Sequence, residues 1–139
     1  MKHSLLIFAA GFLGLGACFG SIAHGGDDPV TAKLEAALDM PHRSAENRTR
    51  DDNRNPLAAM EFCRLKDDMT VLEFGPGSGW YTEILGPVLR EEGKLFTAYK
   101  DAWMEKLDPL LAQNFMSAVQ KHPIDIAWNS EEKRFDVGE

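Results

Sequence analysis

The sequence predicts an α/β fold built on parallel strands, and three observations predict it. Residues 71–74, V-L-E-F, form a short apolar run that leads into glycine at alternate positions, Gly75, Gly77 and Gly79, and then into an amphipathic segment. Two further apolar runs, residues 95–99 and 124–128, each follow a stretch with helical periodicity. Strand, helix, strand, helix, strand is a βαβαβ unit, and right-handed crossovers would set its strands parallel, as half of a doubly wound sheet.

The elements are predicted in order as follows. Residues 29–38 make a short helix, because Val30, Leu34, Ala37 and Leu38 fall on one face, and it ends near Pro41. Residues 43–51 are polar without an apolar period, so they read as a loop or a solvated helix. Asn55 caps the next helix, which has Pro56 at its first position and runs through Met60 and Phe62 to Leu65. After the glycine turn a helix over 80–90 buries Ile84, Leu85, Val88 and Leu89, and Pro87 strips it of one bond to the carbonyl of Glu83 and should kink it. Residues 101–121 read as helix in two pieces, with Asp108 and Pro109 as cap and first position, and with Leu111, Phe115, Ala118 and Val119 as its buried stripe.

The amino terminus reads as an export signal rather than as part of the domain. Lys2 supplies a positive start, residues 5–15 an apolar run, and no acidic residue occurs before Asp27. Residues 1–23 are therefore assigned to a signal peptide or lipoprotein signal, 24–40 to a linker and short helix, and 41–139 to the domain. L-G-A-C at 15–18 resembles a bacterial lipobox, which would make Cys18 a lipidated first residue. S-I-A at 21–23 offers an ordinary cleavage site instead, and a retained membrane anchor ranks third. The expected location is the bacterial cell envelope, as a lipoprotein facing the periplasm or as a soluble periplasmic protein. Cys63, in an apolar helical segment, reads as a small buried hydrophobe.

Charge and composition narrow the partners. A net charge of -7 repels phosphate backbones, so no nucleic acid is expected, and membrane contact is expected only through the signal or its lipid. His3, His24, His42 and His122 show no ligand spacing, so no metal is expected.

The glycine turn carries the chemistry. Gly-x-Gly-x-x-Gly would need glycine where Trp80 stands, and a phosphate-binding Gly-Lys-Ser/Thr is absent. What remains is acid-x-Gly-x-Gly-x-Gly, led by Glu73, which resembles motif I of the class I S-adenosylmethionine-dependent methyltransferases. The blocks R-S-A-E-N-R at 43–48 and G-W-Y-T-E-I-L at 79–85 are similar to a group of predicted exported bacterial methyltransferases, and the likeness covers roughly residues 41–93.

That resemblance implies methyl transfer from S-adenosylmethionine to an unidentified acceptor. It implies that Gly75, Gly77 and Gly79 admit the methionine end of the cofactor, and that Glu73 orders the turn and meets the cofactor amino group. The helix starting near Trp80 would offer N–H groups to its carboxylate. The second strand of such a fold ordinarily closes on an acid that accepts the ribose hydroxyls. Here Tyr99 and Lys100 occupy that place, and Asp101 is the nearest carboxylate, either ligand or helix cap. Trp80 packs on the cofactor or fills space between helix and sheet. Arg43, Glu46, Asn47 and Arg48 close over the pocket, the arginines pairing with carboxylates and Asn47 bonding substrate, or else form a solvated loop.

The resemblance also implies strands 3-2-1 of a seven-stranded sheet, with residues 135–137 starting strand 4 and the chain an incomplete product of a longer gene. The first strand, 71–74, would then be an open edge. The alternative function is a non-catalytic envelope lipoprotein that uses the half-fold to bind a partner.

Overall fold

The computed structural model describes residues 5–9 and 29–137. Cys18 and both processing sites lie outside the described residues. Four strands form a parallel sheet in the order β1 (Leu5–Ala9), β2 (Thr70–Phe74), β3 (Lys94–Tyr99) and β4 (Val119–Pro123). Val71 pairs in register with Leu95 and Leu95 with Val119. Along β2 burial alternates, Val71 and Glu73 buried and Leu72 half-buried, as a sheet with one fully covered face requires.

Two helices cover that face. In α1 (Pro29–Asp39) the buried residues are Val30, Leu34 and Ala37, the stripe the periodicity predicts. They meet Ile84, Leu85, Val88 and Leu89 of α5 (Thr82–Leu89) in one core with Val71 and Leu95. The short helices α2 (Ala45–Arg48), α3 (Asp51–Arg54) and α4 (Pro56–Phe62) lead into β2. Asn55 caps α4 as expected, its side chain accepting from the Ala58 amide at 3.4 Å with Pro56 in the first turn. Gly93 is where the chain re-enters the sheet, and a Cβ there would lie 2.6 Å from the carbonyl of Asp67, so only glycine fits.

Several expectations need correction. The third parallel strand is Val119–Pro123, not residues 124–128. V-Q-K-H-P is an edge strand with Gln120 and His122 exposed and a terminal proline, a composition suited to an edge and invisible to a search for apolar runs. The more apolar Ile126–Asn129 is β5, paired antiparallel with β6 (Arg134–Val137) in a separate two-stranded sheet, so residues 135–137 do not join β2. The side chain of Asn129 accepts from the amides of Glu131 and Glu132, each at 3.1 Å, and starts the reversal between them.

The helix predicted to reach residue 121 is instead α6 (Asp101–Met104), a 3-10 turn over Glu105–Leu107, α7 (Asp108–Leu111) and a second 3-10 turn over Asn114–Met116. Val119 from its expected stripe belongs to β4. In the unprocessed chain β2 is not an open edge, because Leu5–Ala9, within the segment read as a signal, runs parallel to it from Leu5 opposite Thr70 to Ala9 opposite Phe74, and cleavage at either processing site would remove that partner. No described helix is long and apolar enough to cross a membrane.

Candidate functional site

The site is built on the loop between β2 and α5. Gly75, Gly77 and Gly79 all hold left-handed φ values, 67°, 59° and 80°, which L side chains rarely adopt. They serve different ends. A Cβ on Gly79 would press to 2.9 Å of Leu107, so that glycine lets the 3-10 turn pack down. At Gly77 a Cβ would meet nothing nearer than the carbonyl of Gly75 at 3.9 Å, and at Gly75 only the ring of Tyr99 at 3.9 Å. These two positions leave backbone open to close approach.

Glu73 sits beneath the turn at the carboxyl end of β2 and is fully buried. Its Oε2 accepts from the Thr82 hydroxyl at 2.6 Å, while Oε1 is buried with no partner. Burial pushes its pKa up to about 7, against the opposing pull of the bonds from Thr82. Thr97, opposite Glu73 in the β2–β3 register, also has a buried hydroxyl without a partner. Native interiors rarely leave such atoms unpaired, so a donor placed between turn and sheet would find an acceptor waiting.

The block before α4, read as a loop or a solvated helix, is helical over residues 45–48 and 51–54 and largely exposed, but its buried residues Arg43 and Asn47 fasten it to this turn. Arg43 is buried and makes a two-pronged pair with Asp51, 2.6 and 2.9 Å, with its Nε 3.7 Å from Glu83. The Ser44 amide donates to Glu83 at 3.2 Å. Asn47, also buried, donates to the Ser78 carbonyl at 3.3 Å and accepts from the Ser78 hydroxyl at 3.0 Å. Arg50, half-buried, donates to both Asn47 Oδ1 at 3.3 Å and Ser78 Oγ at 3.1 Å. Arg48 points away and donates to the carbonyl of Met40 at 2.6 Å, tying down the end of α1, and Glu46 is exposed.

The bond that Pro87 removes from α5 is replaced from the same block. The Glu83 carbonyl accepts from His42 Nε2 at 2.8 Å, which fixes the proton on that nitrogen, and the ring lies against Phe115 at 4.5 Å.

Trp80 is buried and committed to the block. Its Nε1 donates to the Asn47 carbonyl at 3.0 Å and to Asp51 at 2.9 Å, and the Arg54 guanidinium lies 4.9 Å from the ring centroid. Asp101 is 64% exposed in the first turn of α6 and 3.8 Å from Lys121. Tyr99 stands at the end of β3, edge-on to Phe74 at 5.6 Å and to Trp103 at 5.9 Å. Cys63 is half-buried beside the core and burial pushes its thiol up, the behaviour of a packing residue.

The structure thus brings together Glu73, Gly75, Gly77, Gly79, Trp80, Arg43 and Asn47, and leaves Glu46, Arg48 and Asp101 outside that cluster. Sequence reasoning missed Asp51, Thr82, Glu83 and Arg50. Only Glu83, an acid on the inward side of a predicted helix, carried a signal that could have been found. Among the described residues no three of His, Cys, Asp or Glu are arranged to hold a metal ion. No family model, no curated protein and no solved structure matches the chain.

Proposed function

We propose that residues 41–139 form a class I S-adenosylmethionine-dependent methyltransferase domain with an acceptor still to be identified. The observation that carries this reading is Glu73: a fully buried acid at the carboxyl end of the central strand, one oxygen unpaired, beneath a turn of three left-handed glycines. Ligands of parallel α/β sheets bind outside the carboxyl ends of the strands, where that turn lies.

The residues fit the cofactor unevenly. At its amino-acid end, Glu73 Oε1 would take the amino group, and the open backbone at Gly75 and Gly77 would take the chain beside it. At its ribose end the fit is poorer, since Tyr99 replaces the usual acid and Asp101 is exposed beside Lys121. When bound, the cofactor supplies an activated methyl group on a sulfonium. This chain's part is to bind, orient and exclude water, because in-line displacement depends chiefly on alignment. Trp80 and the Arg43–Asp51 pair would hold the turn in shape, and Thr82 would keep the Glu73 carboxylate aimed.

Calorimetric titration of the chain with S-adenosylmethionine or S-adenosylhomocysteine is expected to give one saturable site. Gly77→Val should weaken it by more than roughly tenfold, since the branched side chain both occupies the open approach and opposes a φ of 59°. Undiminished affinity in that variant, with its melting curve unchanged, removes the turn from the site. A defined oligomer with no affinity in the unaltered chain would favour the partner-binding lipoprotein instead.

We also propose placement in the cell envelope through Cys18. Labelling with a palmitate analogue should tag the protein and fail for Cys18→Ser, and an unlabelled protein beginning at His24 would establish the soluble periplasmic form.

A further inference from the structure

The four arginines of the block before α4 are not used alike. Arg43 is spent on Asp51 and Glu83, Arg48 on backbone carbonyls, and Arg54 on the ring of Trp80. Arg50 has no carboxylate within ion-pair distance among the described residues, although its sequence neighbours are Asp51 and Asp52 and the chain is acidic throughout. It is nevertheless held. Two neutral groups, Asn47 Oδ1 and Ser78 Oγ, fix one of its terminal nitrogens against the glycine turn. Asn47 is itself buried and fastened to Ser78, so the anchor is rigid.

Immobilising an arginine costs rotamer freedom and places a charge where neutral acceptors do not compensate it. The remaining guanidinium N–H groups keep the forked geometry that suits a carboxylate. The turn therefore carries an acid with a free oxygen at its strand end and a cation clamped at its helix end. We propose that Arg50 is the group that recognises the anion of a zwitterionic ligand, binding the carboxylate of an amino-acid moiety whose amino group is met by Glu73. This rests on the cofactor reading above and deepens it by naming the residue that selects the amino-acid end.

The test uses the full chain and two ligands that share the adenosine and thioether but differ in the amino-acid end: S-adenosylhomocysteine, which has it, and 5′-methylthioadenosine, which lacks it. Arg50→Gln keeps a polar, hydrogen-bonding side chain, though a shorter one, while removing the charge. It is expected to weaken S-adenosylhomocysteine by roughly 10- to 100-fold and to leave 5′-methylthioadenosine within about twofold. Arg50→Lys, a point charge without the fork, should fall between. Equal weakening of both ligands would give Arg50 a merely structural role and overturn the proposal. An unchanged affinity for S-adenosylhomocysteine in Arg50→Gln would overturn it while leaving the cofactor reading intact. If the unaltered chain binds neither ligand, both fall together. Should Arg50→Gln not fold, Arg50→Met and Arg50→Lys carry the same comparison.

Discussion

Arg43→Ala is expected to destabilise the fold by about 3–5 kcal/mol, read as a fall in the urea midpoint with the slope unchanged. The side chain is buried, and its removal strands the Glu83 carboxylate in the interior and leaves Asp51 without its two-pronged partner. The loss spreads further, because Asp51 also accepts from Trp80 and the pairing with Arg43 holds the Asp51 carboxyl below its ordinary value. A cost under about 1 kcal/mol would mean that the pair behaves like an exposed one. The same variant should lose ligand affinity, since Asn47 and Ser78 depend on the position of the block.

Glu73→Gln should change how stability depends on pH. The Glu73 carboxyl is raised by burial from an ordinary 4.5 to about 7. A carboxyl raised on folding favours the native state fully below the unfolded value, and that advantage is lost as pH climbs through the folded one. The unaltered protein should therefore lose stability between about pH 4.5 and 7 relative to Glu73→Gln, by on the order of 3 kcal/mol. Urea melts of both forms at pH 5 and pH 8 measure it, and a constant difference between them would show that Glu73 is neutralised by another route. A ligand bearing an ammonium should bind more tightly as pH rises through the same interval, because it favours the ionised carboxylate.

Much of the central sheet was legible because its residues obey one period at a time. Residues 71–74 and 95–99 are short, apolar and bounded by glycine or charge, and α1 and α5 repeat their apolar positions with helical spacing. What failed were elements whose stability comes from neighbours. Val119–Pro123 is polar at alternate positions because it lies at an edge, and residues 126–129 were apolar enough to be mistaken for it.

The site divided in the same way. Glu73 and the glycines declare themselves through the backbone they require, whereas Arg43, Asn47 and Asp51 look like any charged loop until they are placed against Ser78, Trp80 and Glu83. Burial of polar groups is set by tertiary pairing, and no local pattern records it. Resemblance to known motifs pointed to the block but not to Arg50 in it.

The bonds that fasten residues 42–51 to the turn and to the start of α5 join positions 28 to 41 apart in the chain. That separation bears on when the cradle exists at all. Short helices need only local contacts, whereas these ties require closure of a long loop and docking of α5 on the sheet, so the shape of the turn is a property of the assembled fold. A turn held by these ties has less conformational freedom to lose than a free loop of the same sequence. The glycine spacing is consequently not portable. A segment beginning at β2 would carry every residue of the recognisable motif and still lack the partners that give it a single conformation.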